Sequence, residues 1–443
     1  MRSYHEPARQ TPIRESVDVL VVGGGSAGLC AAVAAARTGA RVVLAESHGF
    51  LGGTLTAVTL GSICGLYTVT EDDIVPAVGG LLSEIIERLA FLEGPRAPIR
   101  WLETATMVYD PFLLRMVADN LVTETDMTLA LHTRAVSVIM DGSQIDGVVF
   151  EGQDGRWACR AKMVIDCTGD GTIAALAGAR FEMDPDSIQF PNPMFRLGGV
   201  NTDKVTAMKR PELSQYLEQA VASGFELPRT AGGLFVIHPG AVHLNVTRVA
   251  RDGMPPNTLE TEDVTWAEIE GRRQVMLYRD AFRAHVPGFE NCYVDDCGTR
   301  IGVRETRRIT GQHSLSVDEV MGEARFDDAI ACCSWPLEEH GAGRATRWVW
   351  LRPGGYYQIP FRSLIPLEIE GLLIAGRCIS ASHEAQASLR VAAPCMAMGQ
   401  AAGTAAAMAI DGSVRVTDLN CEHLQERLLQ QGAIIHKRGS KIA

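Results

Sequence analysis

Short apolar runs punctuated by glycine recur along the 443-residue chain, and their spacing outlines its elements. Val17 to Val22 (VDVLVV) is a β-branched run closed by Gly23, the pattern of a strand buried on both faces of a parallel sheet. A helix is predicted from Ser26 to Thr38 and a second strand from Arg41 to Ala45, a βαβ unit of ordinary length. Thr128 to His132, Ala135 to Met140 and Gly147 to Glu151 predict short strands, with turns at Asp141-Gly142 and Asp154-Gly155. Lys162 to Asp166 predicts a buried strand that runs into Cys167-Thr168-Gly169-Asp170. The buried-strand pattern returns at Leu372 to Ala375, and a long Ala/Met-rich helix is predicted from Ala392 to Ile410.

Between about Phe181 and Gly355 the pattern is mixed, with most of the prolines, a strand from Ala241 to Thr247 and a helix from Thr265 to Arg283. This stretch reads as an insertion. The predicted organisation is a polar leader at 1–16, a nucleotide-binding domain from 17–180 and 356–443, and a substrate or cap domain at 181–355. The fold class is α/β: a Rossmann-like domain, parallel sheet with β-meander, built from both chain ends, plus an inserted α+β domain.

Composition adds exclusions. The 44 glycines show no G-X-Y period, which rules out collagen, and a formal net charge of -12 argues against general nucleic-acid binding. Eleven cysteines without a CxxC pair point to a reducing, cytoplasmic setting, and the adjacent Cys332 and Cys333 read as packed thiols or a redox pair. Val17 to Ala36 carries Asp18 and a glycine cluster, and Val391 to Ile410 is largely Ala, Gly, Met and Gln, so neither is expected to span a membrane. The first sixteen residues lack an apolar h-region, so no signal peptide is expected.

Gly23-Gly24-Gly25-Ser26-Ala27-Gly28 satisfies G-x-G-x-x-G, follows a predicted strand and opens a predicted helix. Gly23 permits the tight turn, Gly25 the close approach of a pyrophosphate, and Gly28 the packing of helix on strand. The helix start then offers unpaired N–H groups to phosphate. Glu46, 23 residues after Gly23, can accept from ribose hydroxyls. Gly52-Gly53 and the strand-glycine-helix segment Leu372 to Gly403 are additional elements that favour FAD over NAD.

The run Asp18 to Gly53 resembles the FAD-binding segment of the fumarate reductase and glutathione reductase flavoproteins. GTRIGVRETRRITG (298–311), YYQIPFRSLIP (356–366) and LLIAGRCISASHEAQASLRVAAPCMAMGQAAGTAAA (372–407) resemble a bacterial family of FAD-dependent oxidoreductases with diverse substrates. The resemblance implies FAD as cofactor. Gly23, Gly25, Ser26, Ala27 and Gly28 would hold its pyrophosphate, and Glu46 with Ser47 its adenosine ribose. It places Gly52, Gly53 and Thr54 beside the ribityl chain and ring, Val136 against the adenine, and Thr168-Gly169 over the adenosine side. Gly376 matches a second FAD segment, where Arg377 replaces the acidic residue common in related flavoproteins. Ser388, Leu389 and Arg390 would open the last helix, with N–H groups facing the ring.

His383, expected in a loop from Ser380 to Arg390, is the leading catalytic candidate, since it occupies a place similar to a substrate-binding His of fumarate reductases; hydrogen bonding within the loop is the other reading. Glu384 can orient it or serve structure. Arg300, Arg304, Arg307 and Arg308 fall in one stretch, where Arg304 shares a face with Arg307 or Arg308 if the segment is helical. They would clamp a substrate carboxylate or pair with Glu305 and other carboxylates. Tyr357 can move a proton or simply pack, and Arg390 is a further candidate. Cys64 is open to covalent attachment or ordinary packing, while the absence of His between Gly53 and Tyr109 excludes a histidyl linkage there. No metal site is expected.

The leading reading is a dehydrogenase or reductase moving hydride between flavin N5 and a small polar substrate, carboxylate-bearing or not, with an unknown electron acceptor. The alternatives are an oxygen-using hydroxylase or halogenase and a flavin-holding subunit without catalysis. Trp348-Val349-Trp350 and Ile359-Pro360 do not form the contiguous halogenase WxWxIP motif. Cys292 and Cys297 have a CxxxxC spacing but lie in the inserted region, which counts against a disulfide reductase. A homo-oligomer stays open.

Overall fold

The computed structural model describes residues 3–94, 96–341 and 346–436. Its centre is a sheet whose first strand, β1 (Ile13–Val22), runs parallel to β2 (Val42–Ala45), and the helix α1 (Ser26–Arg37) connects them. β3 (Thr128–Ala130) extends the parallel side beyond β2. On the other side, β4 (Arg134–Asp141), β5 (Gln144–Gly152) and β6 (Gly155–Asp166) form the antiparallel meander, and β6 returns parallel to β1.

β1 begins at Ile13, within the stretch expected as a polar leader, because Ile13 already pairs with Ala158. β6 likewise extends well ahead of Lys162. Its first half pairs with β5 and its last residues, Val164 to Asp166, pair with Leu372 to Ile374. The alternation of β1 explains its unbroken apolar run: Val19 and Val21 face a core shared with α1, whereas Leu20 and Val22 face Phe150, Cys159 and Ile374.

The inserted region has its own core. β7 (Phe195–Gly198) lies between β9 (Ala241–Asn245) and β10 (Tyr293–Cys297), and β8 (Gly233–His238) pairs with β9. Two helices, α2 (Arg210–Ala222) and α3 (Thr261–His285), cover this antiparallel sheet through Leu213, Leu217, Tyr278 and Phe282. Ala329–Cys333 then pairs with Tyr357–Pro360, and its residues join the core of the nucleotide-binding half. The chain therefore re-enters that half ahead of residue 356. β11 (Leu337–Glu339) and β12 (Arg347–Val349) form a small ribbon beside it.

The last turns of chain complete the first sheet. β13 (Leu372–Ile374) joins β6, α4 (His383–Leu389) follows, and α5 (Ala392–Asp411) packs on α1. No helix of the described residues is long and apolar enough to cross a membrane, and none of them forms a cluster of three or more potential metal ligands.

Candidate functional site

The glycine loop lies at the end of β1 and is stitched to a second glycine pair. Gly52 N–H donates to the Gly24 carbonyl at 2.8 Å. Gly23, at φ +96°, has no room for a side chain, since a Cβ there would meet the Cys167 carbonyl at 2.5 Å. At Gly28 a Cβ would lie 1.7 Å from the Gly23 oxygen. At Gly25 the nearest atom is the Gly53 Cα at 3.6 Å, so a side chain would fill the gap between the two loops. No side chain caps α1, which leaves its first N–H groups facing that gap.

Glu46 is buried at the end of β2, where its Oε2 accepts Gly24 N–H at 2.6 Å and its Oε1 accepts His48 N–H at 2.8 Å. Burial alone would raise this carboxyl, but bonds from His48 and Gly24 outweigh it and keep Glu46 an ionised acceptor. Ser47 is exposed and donates its hydroxyl to Glu46 at 3.0 Å. Thr54, also exposed, starts the short helix Thr54–Ala57. Val136 is half-buried in β4.

Two glycines of α5 bring the chain ends together. A Cβ at Gly399 would lie 2.0 Å from the Ala27 carbonyl, and one at Gly403 would lie 2.0 Å from that of Ala31. The matched order, 399 to 27 and 403 to 31, makes the two helices parallel. Ala392 precedes Gly399 by seven residues whereas Ser26 precedes Ala27 by one, so α5 starts about 9 Å beyond the start of α1 at 1.5 Å per residue. Gly376, at φ +99°, leads from β13 towards the same seam, with its Cβ direction facing Ala27.

Arg377 meets the acid that its own segment lacks. Its Nη2 lies 2.5 Å from Asp170 Oδ1, and its Nη1 donates to Thr306 Oγ1 at 2.9 Å. Thr168 is fixed by the buried Asp166, which accepts both its N–H and its hydroxyl. Gly169 lies with its open side against the Arg377 guanidinium.

His383 is the first residue of α4 rather than part of a loop, because Ser382 Oγ accepts Ala385 N–H and caps the helix. Its Nδ1 lies 2.9 Å from Glu305 Oε1. The bond to Glu305 raises the imidazole pKa against the opposing effect of burial. Glu384 has its carboxyl lowered, first by backbone bonding at the same helix start.

Residues 298–307 are not helical, so Arg304 shares no helix face with Arg307 or Arg308. Arg308 pairs with Glu305, Arg307 donates to the Asp170 carbonyl at 3.2 Å, and Arg304 turns into the interior and donates to the Phe190 carbonyl at 2.6 Å. Ser388 and Leu389 end α4 and do not open α5, the helix they were expected to begin, and Arg390 N–H is spent on the Gln386 carbonyl. Ser388 Oγ donates to the Trp335 carbonyl and meets the Tyr357 hydroxyl at 2.7 Å. Burial pushes the Tyr357 phenol well above its ordinary range, which makes it a packed, neutral group. Cys64 is pushed up to about 12, first by burial and then by Glu338, so its thiol stays protonated.

A family model described as FAD dependent oxidoreductase matches residues 18–428. The chain belongs to that family. Membership makes it an FAD-dependent oxidoreductase. A curated relative, digeranylgeranylglycerophospholipid reductase 1 of Methanopyrus kandleri, is 30% identical over 176 residues, 39% of this chain; the match spans only 44% of that relative's length. Among solved structures, a geranylgeranyl bacteriochlorophyll reductase-like protein from Thermoplasma acidophilum is similar at TM-score 0.47 and 14% identity, over 95% of this chain and 84% of that one. The p-nitrophenol 4-monooxygenase PnpA of Pseudomonas putida is similar at TM-score 0.46 and 12% identity, covering 94% and 85%.

The residues of this FAD-dependent oxidoreductase fit its cofactor. The uncapped α1, the gap that a Gly25 Cβ would fill and the ionised Glu46 are what a pyrophosphate and a ribose require. The oxidoreductase also has a polar centre that sequence reasoning missed: Arg229, Arg248, Glu338 and His340. Tyr278 of α3 fixes Arg229 by exchanging hydrogen bonds with its backbone, and Gln274 of the same helix accepts Arg248 N–H at 3.2 Å. His340 Nε2 lies 3.0 Å from Glu338 Oε1 and its Nδ1 3.3 Å from Thr346 Oγ1. Burial, with Arg304 nearby, keeps His340 neutral, which assigns the Nε2 proton to the bond with Glu338. No local motif joins the two arginines to Glu338 of β11 and the adjacent His340; the one signal was the charged Glu338-Glu339-His340 set directly after an apolar Trp335-Pro336-Leu337 run.

Proposed function

We propose that this oxidoreductase is a dehydrogenase or reductase exchanging hydride between a C–H bond of a small polar organic molecule and FAD, as the resemblance to the fumarate reductase group suggested. The observation that supports it most is the position of Arg390, two residues ahead of α5 and bonded to Gln189 and Glu338. It places the interior polar centre at the α5 start, about 9 Å along the helix axis from the start of α1.

In this reading Gly23, Gly25, Ser26, Ala27 and Gly28 hold the pyrophosphate, and Glu46 with Ser47 holds the adenosine ribose. Gly52, Gly53 and Thr54 border the ring side, while Val136, Thr168, Gly169, Gly376 and Arg377 complete the cradle. Bound FAD supplies two-electron chemistry. The chain orients the substrate with Arg304 and Arg390, excludes water with the buried Trp335 and Phe190, and holds an exchangeable proton at His383 Nε2, since Nδ1 is engaged by Glu305. Tyr357 and Ser388 have a supporting place behind this wall.

Anaerobic addition of a panel of hydroxy acids, amino acids and polyols to the purified holoprotein tests the reading. Bleaching of the flavin band by one class supports it; bleaching only with NADPH, followed by oxygen-dependent substrate modification, would replace it with the hydroxylase reading. His383→Ala is expected to keep the flavin band and lose turnover, and unchanged kcat would remove His383 from the mechanism.

A further inference from the structure

The interior carries more positive charge than its own carboxylates neutralise. Arg229 and Arg304 are 5% and 6% exposed, and the side chain of Arg390 is 10% exposed. A single dipeptide gathers most of the set: Gln189 Oε1 accepts from Arg390 at 3.0 Å, the Phe190 carbonyl accepts from Arg304 at 2.6 Å, and the Phe190 ring lies 3.9 Å from the Arg248 guanidinium carbon. The other side closes through the ribbon. Arg390 donates to the Glu338 carbonyl at 3.1 Å, Glu338 holds His340, and Thr346 links His340 to Arg229 at 3.2 Å. Phe190 N–H donates to the His340 carbonyl, joining both sides into one ring of contacts.

Within that ring the ionised carboxylate is Glu338, already engaged by Trp335 Nε1 and His340. Glu305, the next nearest acid, is occupied by Arg308 and His383. His340 is neutral and offsets nothing. The guanidiniums of Arg229, Arg304 and Arg390 thus share one carboxylate, with the half-buried Arg248 beside them on the Phe190 ring, and the Nε atoms of Arg248 and Arg390 are buried without a partner among the described residues. Unpaired buried cations are costly enough that such a set implies a missing acceptor. A planar carboxylate matches the guanidinium fork, and more than one carboxylate matches more than one fork.

We propose that Arg229, Arg248, Arg304 and Arg390 form the recognition site for an organic di- or tricarboxylate substrate, with Glu338 and His340 as the internal brace that keeps the guanidiniums apart. This rests on the hydride-transfer reading for its catalytic meaning, but the binding site stands on the arginine geometry alone. It also replaces the clamp expected from Arg304, Arg307 and Arg308 with one assembled from four separate segments.

Calorimetric titration of the holoprotein with acetate, malonate, citrate and sulfate, alongside thermal melting, tests it. Malonate or citrate is expected to bind and to raise the melting temperature, with acetate weaker, and Arg248→Met or Arg390→Met to weaken binding at least about tenfold. Arg248→Met is further expected to leave the ligand-free melting temperature unchanged or raised, which a merely structural arginine would not do. Absence of carboxylate binding to the wild type, equal binding by the variants, or sulfate binding as tightly as citrate would overturn the proposal. Carboxylate binding without flavin bleaching by any donor would keep the site and overturn the hydride reading; bleaching by a neutral polyol without carboxylate binding would do the reverse.

Discussion

His383 Nδ1 sits 2.9 Å from Glu305 Oε1, and Glu305 is the wholly buried partner of the two. The carboxylate also receives Gln189 N–H and the Arg308 guanidinium, so it joins α4 to the inserted region. Glu305→Ala leaves these donors unpaired in the interior and is expected to cost about 3–5 kcal/mol. Denaturant unfolding of the variant measures this, and a loss below experimental error would show that the junction does not depend on Glu305.

The same pair sets a pH dependence. The folded pKa of His383 is raised, so folding favours the imidazolium. Its stabilisation is fully present below the unfolded value of about 6.5 and is lost as pH rises through the higher folded value. With the imidazole side chain 28% exposed, the effect is expected to be about 1 kcal/mol or less. Melting temperatures across this range should fall more steeply for the wild type than for His383→Gln; parallel curves would disprove the coupling.

Gly399 has no space for any side chain, since its Cβ would lie 2.0 Å from a backbone oxygen of α1. Gly399→Val is expected to cost about 3 kcal/mol or more by forcing the helices apart. The variant should also purify with less FAD, read from the ratio of flavin to protein absorbance. A stable variant with full flavin content would show that the seam tolerates separation.

Glu46→Ala removes the acceptor for the N–H groups of Gly24 and His48. It also removes the acceptor proposed for the adenosine ribose, a charge-assisted bond worth about 1.5–3 kcal/mol, so FAD affinity should fall at least about tenfold. Fluorescence titration of deflavinated protein gives the dissociation constants, and equal values would remove Glu46 from the cradle.

Cys64, with its pKa pushed up to about 12, carries a protonated thiol and makes a poor nucleophile. Acid precipitation should therefore leave all flavin in the supernatant. A yellow pellet would reveal a covalent link.

The parts of the fold governed by local pattern were legible. VDVLVV, the helix opened by the glycine run and the alanine-rich α5 each matched an element in the structure, because burial on both faces and helix packing impose strong composition. What failed depended on distant chain. The length of β6 reflects a partner strand on each half, and the helical start at His383 follows from a serine cap inside an otherwise loop-like segment. Arg304 was singled out, but its neighbours Arg229, Arg248 and Arg390 are far away in sequence and come together through α3 and the Gln189-Phe190 segment. A centre assembled from such distant segments is hidden from any reading that scans short windows.

The seam between α1 and α5 and the fork of β6 impose an order on synthesis. When Gly23 to Gly28 leave the ribosome, the strand that completes their sheet and the glycines that seat their helix have not been translated. The region from Phe195 to Cys292, whose buried residues form a separate core, is made while those segments wait. The seat of α1 is thereby completed only once the chain has been made as far as Gly403, so a chain that stops short of that residue lacks half of the seam beside the glycine loop.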